Sequence, residues 1–347
     1  MTPRVSDALG RIERELAALW QPDPTGNIKP HATTLNLIAL HGQRECSFQE
    51  TLEDVAARLG ARTFVVSVDG RLEPWALEGD VSAVCRLEPG TTREAVCAER
   101  VTLRFGAMVG KRAGSILESL IESSLPTAVF AGPGAPAAVL DALCKTAGAV
   151  VIDSAELGIA RAAELAAGAR AQIHDLAFIR TRRWREMLAR VFDDPALRPA
   201  LGRVRSLSVI HAERPDHDGA SAEAELLVAW LAARLGWRPA FTDSRGAAVD
   251  VRIDREARSG VIPGCMLEVE LRAELEAGEL VARVERDADG EHLAWHVAAP
   301  GAPEQQRRYA TPRRDDAELV ERAIRSFNAD RLLRETLTFA RAWKAHA

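Results

Sequence analysis

An alternation of short β-branched runs with amphipathic helical stretches, sustained through the first half of the chain, is the feature that most constrains the fold. Residues 33–41 (TTLNLIALH) read as a strand, 48–59 as a helix closed by Gly60, and 62–68 (RTFVVSV) as a second strand. Strands over 81–87 and 100–105 precede a helix over 110–123, a strand at 127–131, a helix at 136–146, a strand at 149–153 and a helix at 156–167. Repetition of this kind predicts a mainly parallel, helix-covered sheet. Ahead of it, Leu9, Ile12, Leu16, Leu19 and Trp20 recur at helical spacing, with Ser6 as the expected cap. The stretch QPDPTGNIKP, with three prolines and a glycine, reads as an exposed connector.

The pattern changes near residues 165–175, where an Ala-rich segment leads into an Arg-dense helix over 181–191. A domain boundary is expected there, giving α/β domains over 1–168 and 169–347. Beyond it, a strand at 203–211 and a helix at 221–235, closed by Gly236, are followed by short alternating runs at 249–253, 266–271, 280–285 and 293–298. The DADG at 287–290 marks a hairpin turn. Two helices, 315–327 with Asp315 as cap and 331–345, finish the chain. The second sheet is therefore expected to be mixed or antiparallel, with helices.

At 347 residues with 47% hydrophobic and 27% charged residues, each half can bury its own core. The net charge of −5 argues against a general nucleic-acid binder. Without an apolar run near membrane-spanning length or a signal-peptide pattern, the chain reads as cytoplasmic with no membrane partner. Cys46, Cys85, Cys97, Cys144 and Cys265 are scattered and odd in number, so they read as reduced, small apolar fillers without a disulfide framework or a zinc site.

Motifs for chemistry are sparse. Gly132-Pro133-Gly134 lies between a strand and a helix, where a phosphate loop would sit, and Asp153 follows at the distance of a ribose-binding acid. AGPGAPAA lacks the third glycine of that fingerprint, and its prolines remove backbone donors, so it reads as a turn. Gly106 to Arg112 resembles a P-loop one residue short, with Arg112 where a magnesium-binding hydroxyl belongs. His292 and His296 share a strand face about 13 Å apart, too far for one metal. The HAERPDHDG loop, with His211, Asp216, His217 and Asp218, reads as solvated. No catalytic residue, metal or cofactor is expected, and an enzyme acting on a sugar phosphate or nucleotide through the 131–136 loop is the competing reading.

The most unusual segment is Arg180-Thr-Arg-Arg-Trp-Arg-Glu-Met. Trp184, Leu188 and Val191 fall on one helical face, directed to a core, while Arg180, Arg182, Arg183 and Arg185 point elsewhere. Arginine supplies forked donors and stacks on aromatics, which suits a partner or anion site. Arg307-Arg308-Tyr309 with Arg313-Arg314 forms a second basic cluster.

The segment 175–189 (DLAFIRTRRWREMLA) resembles the DLAW-R-x-x-x-WRE-L-A signature of OpcA proteins, with Phe178 where that family commonly has Trp. Residues 221–237 (SAEAELLVAWLAARLGW) are similar to the family's AWLA–RLGW helix, and 317–333 to its closing helices. Residues 126–130 and 151–157 (VIDSAEL) resemble its N-terminal segments, except that Val129-Phe130-Ala131 replaces a Trp-rich strand. The resemblance implies a non-catalytic assembly factor and allosteric activator of glucose-6-phosphate dehydrogenase, supporting NADPH supply through the oxidative pentose phosphate pathway. A partner surface built from Arg180, Arg182, Arg183, Trp184, Arg185 and Trp230 is the expectation that follows.

Overall fold

The computed structural model describes residues 5–21, 33–42, 46–86, 96–215, 219–311, 315–326 and 330–346. The loop residues 216–218, the second cluster's Arg313 and Arg314, and all of the connector but Gln21 lie outside them. In chain order the first elements are α1 (Val5–Leu19), β1 (Leu35–Leu40), α2 (Cys46–Leu59), β2 (Ala61–Val68), β3 (Leu77–Arg86) and β4 (Val96–Phe105). Next come α3 (Ala107–Gly110), α4 (Ala113–Leu120), β5 (Thr127–Ala131), α5 (Ala137–Leu143), β6 (Ala149–Ile152), α6 (Ser154–Leu157), α7 (Ile159–Gly168) and β7 (Gln172–Asp175). The rest are α8 (Leu176–Arg180), α9 (Arg182–Arg190), β8 (Val204–Ala212), α10 (Ala222–Leu235), β9 (Asp250–Glu256), β10 (Met266–Leu275), β11 (Gly278–Arg286), β12 (His292–Ala298), β13 (Gln305–Ala310), α11 (Asp316–Ser326) and α12 (Arg331–Lys344).

Two compact units share these elements. One draws on the described residues of Met1–Leu157, Gly168–His174 and Asp315–Ala329, the other on those of Gly158–Ala167, Asp175–Arg314 and Asp330–Ala347.

The first unit holds a seven-stranded sheet in the order β3-β4-β2-β1-β5-β6-β7. The pairs β1–β2, β1–β5, β2–β4 and β5–β6 are parallel, and β3 joins β4 antiparallel at one edge. Every residue of central β1 is buried, as a strand covered by helices on both faces requires. Its one polar side chain, Asn36, is satisfied: Nδ2 donates to the carbonyls of Glu122 (2.9 Å) and Leu125 (3.3 Å), and Oδ1 accepts from the Glu122 N–H (3.1 Å). α11 packs on α2, where Arg58 pairs with Asp315 and Glu321 at 3.6 Å each.

The expected cysteine chemistry is corrected here. Cys85 and Cys97 stand opposite one another in the β3–β4 register and form a disulfide. Sequence spacing could not reveal this, because it depends on the antiparallel pairing of two strands. The expected helix over 110–123 is broken into α3 and α4 at the exposed Lys111 and Arg112, and that over 156–167 breaks at Gly158, whose φ of +80° is outside the helical region. Ser6 lies inside the first turn of α1 rather than before it.

The second unit holds a six-stranded mixed sheet, β13-β12-β11-β10-β8-β9, antiparallel except for the β8–β9 pair. Strand alternation separates its faces. Val269, Leu271, Ala273, Val284, Leu293, Trp295 and Val297 are buried, with α9 and α10 packed on the sheet. Glu268, Glu270 and Arg272 face the other way, and Arg283 ties in by pairing with both glutamates. α10 is defined at both ends. Ser221 Oγ accepts from the Ala224 N–H at 3.2 Å, and Gly236 closes the helix in the left-handed conformation at φ +66°. α12 packs along α10, and Asp330 caps it by accepting from Leu333 N–H at 3.0 Å.

Candidate functional site

The Arg-dense segment forms two short helices, α8 and α9, joined at Thr181. Asp175 starts α8 by accepting from the Ala177 N–H at 3.0 Å. Thr181 is buried and donates its hydroxyl to the Phe178 carbonyl at 2.8 Å, which ties the junction together. Trp184, Met187, Leu188 and Val191 are all buried, so the helical spacing read from the sequence does aim this face at a core. The Arg286 guanidinium lies 5.6 Å from the Trp184 ring.

The arginines divide into two kinds. Arg182 and Arg183 face solvent, with 69% and 42% of their side chains exposed, and both hold Glu186, at 2.8 Å and 2.9 Å. Burial pushes the Glu186 carboxyl up, but the hydrogen bonds and charges of the two arginines outweigh it and keep the group below the usual carboxylate range. Arg180 is half-buried. Arg185 turns inward. Its Nε donates to Thr181 Oγ1 at 3.1 Å, its Nη2 to the Phe178 carbonyl at 3.2 Å, and its guanidinium lies 3.7 Å above the Phe178 ring. The half-buried Trp230 of α10 stands 5.9 Å from the same guanidinium. Burial lowers the Arg185 pKa to about 10, against the opposing pull of Asp330. Phe178, Arg185 and Trp230 thus form a stack between α8, α9 and α10, while Arg182 and Arg183 form the open face.

A second basic surface begins where α9 ends. Trp295 of β12 donates its indole N–H to the Met187 carbonyl at 3.0 Å, which fixes this edge of the sheet against α9. In the β12–β13 register Trp295 stands opposite Arg307, and Leu293 opposite Tyr309. The alternation of β13 sends Gln305, Arg307 and Tyr309 to the face that carries α9. Arg308, on the other face, pairs with Asp287 and Asp289. Arg190, Val191, Asp193, Asp194, Leu197, Trp295, Val297, Gln305, Arg307 and Tyr309 line a cleft of about 430 Å³. The Arg190 guanidinium sits 5.3 Å from the Tyr309 ring, and that of Arg307 is 5.6 Å from the Trp295 ring. Burial raises the Tyr309 phenol, and hydrogen bonds donated by Arg307 and Arg190 outweigh it, leaving the pKa below its ordinary value. The sequence marked Arg307 and Tyr309 as a cluster, but only the strand register shows that Arg190 meets them.

The 131–136 loop packs closely against its neighbours. A side chain at Gly132 would run into the Phe48 ring, which packs on Phe130 at 4.9 Å between ring centroids. The Gly132 N–H donates to the Leu40 carbonyl at 2.8 Å, and Gly42 N–H donates to the Pro133 carbonyl at 2.7 Å. Asp153 uses Oδ1 to cap α6 at the Ala155 N–H, 3.0 Å away. The Gly132 N–H, and the Ala135 N–H that donates to the Gly132 carbonyl at 3.2 Å, are thus engaged within the fold, in keeping with the turn read from the sequence. His292 and His296 lie on one face of β12, and each meets a carboxylate, Asp289 at 2.8 Å and Glu304 at 3.9 Å. Among the described residues no helix is long and apolar enough to cross a membrane.

Residues 171–337, which include the arginine helices, α10 and the six-stranded sheet, match the C-terminal domain of OpcA, described as a glucose-6-phosphate dehydrogenase subunit. A protein of Synechocystis sp. provisionally named OxPP cycle protein OpcA is 29% identical over 170 residues, 47% of this chain and 34% of its own length. A protein of the same name from Synechococcus elongatus is 30% identical over 189 residues, covering 51% and 41%. Residues 171–337 thus carry the domain of the OpcA C-terminal model, and the chain is similar to these OpcA proteins. It spans well under half the length of the curated ones it matches. Among solved structures, a 3-ketoreductase from Actinomadura kijaniata in complex with TDP-benzene and NADP is 13% identical with a TM-score of 0.46, covering 90% of this chain and 96% of that one.

Proposed function

We propose that this protein is a non-catalytic assembly factor and allosteric activator of glucose-6-phosphate dehydrogenase in the cytoplasm, where it supports NADPH production by the oxidative pentose phosphate pathway. The observation that carries the reading is the match of residues 171–337 to the domain named for that dehydrogenase. An activator needs a surface that binds the active state of its partner better than the inactive one, which shifts the population toward activity. The solvent-facing Arg182 and Arg183 of α9 supply forked donors for carboxylates on such a partner. Phe178, Arg185 and Trp230 hold that helix in place from behind.

The test mixes the purified protein with glucose-6-phosphate dehydrogenase of the same organism, following NADPH formation and the mass of the mixture by size exclusion with light scattering. A larger complex with raised kcat or lowered KM is expected. No complex and no rate change, with both proteins folded, would refute the reading.

A further inference from the structure

We propose that the cleft between the end of α9 and strands β12–β13 is a binding site for a phosphate monoester, with Arg190, Arg307, Tyr309 and Gln305 around the phosphate and Asp193 and Asp194 toward the hydroxyl groups of the body it carries. The argument rests on convergence. Arg190 and Arg307 come from different elements, yet both line one cleft with Tyr309, Arg190 lying 5.3 Å from its ring. Two guanidiniums that face one cleft repel each other, and an anion between them relieves that repulsion. Several other arginines of this unit, Arg182, Arg183, Arg205, Arg272, Arg283 and Arg308, each meet a carboxylate. Among the described residues Arg190 and Arg307 have no such ion pair, although Asp193 and Asp194 line the same cleft.

A dianion placed between them would match their combined charge, and the planar forks suit phosphate oxygens. Each guanidinium is also positioned by an aromatic ring, Tyr309 for Arg190 and Trp295 for Arg307, which reduces the freedom lost on binding. The cleft is larger than a bare phosphate requires, and its apolar wall of Val191 and Leu197 gives the rest of a small ligand a surface to lie on. The carboxylates at the rim accept from hydroxyls and repel further anionic groups. These features together select a phosphorylated polyol over a polyanion.

The full chain is titrated by calorimetry with inorganic phosphate, a hexose 6-phosphate and the same hexose without phosphate, and no dehydrogenase is needed for the readout. One-site binding of phosphate and tighter binding of the ester are expected, with none for the free hexose. Arg190→Ala and Arg307→Ala should each weaken the ester by at least about tenfold, as loss of a charge-assisted contact implies. Tyr309→Phe and Arg307→Lys, which preserve bulk or charge, should weaken it less while leaving circular dichroism unchanged. Because a phosphate ester loses its second proton near pH ~6 and arginine does not titrate there, affinity should rise between pH 5.5 and 7.5, roughly around that value. No saturable ester binding at about 10 mM would overturn the proposal. Equal affinity for sulfate with a flat pH profile would do so as well, as would ester binding that all four variants leave unchanged.

Discussion

Replacing Arg185 by methionine should leave the fold about as stable as before, whereas replacing it by alanine should not. The guanidinium is buried, and its pKa of about 10 means that folding disfavours the charged form. A depression of that size corresponds to roughly 3 kcal/mol against the charged side chain. On the other side, removal leaves the Phe178 carbonyl short of its 3.2 Å donor and the Thr181 hydroxyl short of its 3.1 Å one. Such losses cost about 1–3 kcal/mol, and the ring contact with Phe178 is worth ~1 kcal/mol more. The two sides nearly cancel, so Arg185→Met should fall within about 1 kcal/mol of the parent. Alanine additionally removes the buried stem, about three methylenes, and should be ~2 kcal/mol less stable than methionine. Urea unfolding of the three proteins at neutral pH gives the comparison directly. The pH dependence supplies a second check. Since the unfolded chain holds this proton to higher pH than the folded one, the parent gains stability relative to Arg185→Met as the pH rises above about 10. A loss of more than about 3 kcal/mol in Arg185→Met, with a parallel pH dependence, would show that the charge is a net support and the reasoning wrong.

Charge reversal at the solvent-facing pair, Arg182→Glu with Arg183→Glu, should weaken dehydrogenase binding by about tenfold or more with the circular dichroism intact, while Arg185→Met leaves the affinity unchanged. Unaltered affinity in the double reversal would remove α9 from the interface. Reducing the Cys85–Cys97 bond, or replacing both cysteines by serine, should lower the stability of the first unit by about 3 kcal/mol, the value for a loop of this length. A melting temperature indifferent to reductant would contradict it. Burial, reinforced by Glu285, Glu270 and Glu256, raises the Glu268 pKa above its unfolded value despite the opposing Arg283. Stability is therefore lost as the pH climbs from the unfolded-state pKa through the folded one, and Glu268→Gln should be the more stable protein at pH 7 with no advantage at pH 3, about a unit or more below both. Asp330→Ala should cost ~1 kcal/mol by uncapping α12, measurable as a shift in urea midpoint at constant slope.

Much of this fold was legible because its signals are local. The strand at 127–131 appears with the expected bounds, and the Gly236 stop and Asp315 cap occur where the sequence placed them, while Ser221, read as the first helical residue, is the cap before it. β7 and α8 were not legible, since QIHD is too short to show a period and sits in an Ala-rich stretch that reads as helical. β13 was hidden by QQRRYA, a polar edge strand whose buried partners are all on β12. The disulfide was invisible for a related reason: Cys85 and Cys97 are neighbours only once β3 and β4 pair.

The arginine cluster shows where residue type stops being informative and geometry takes over. Arg182, Arg183 and Arg185 lie within four residues and look interchangeable in the sequence. One helical turn separates their roles: Arg185 falls one turn from Thr181 and is drawn inward by its hydroxyl and the Phe178 ring, while Arg182 and Arg183 fall one turn from Glu186 and remain in water. The same argument explains Arg307 and Arg308, adjacent in the chain and sent by the pleat to opposite faces of the sheet. A substitution scan that treats these arginines as one basic patch would average a packing residue with two interface candidates and a cleft residue with an ion-paired one. Separating inward from outward positions first makes stability and affinity independent readouts, and only then can a loss of dehydrogenase binding be assigned to the surface rather than to the fold beneath it.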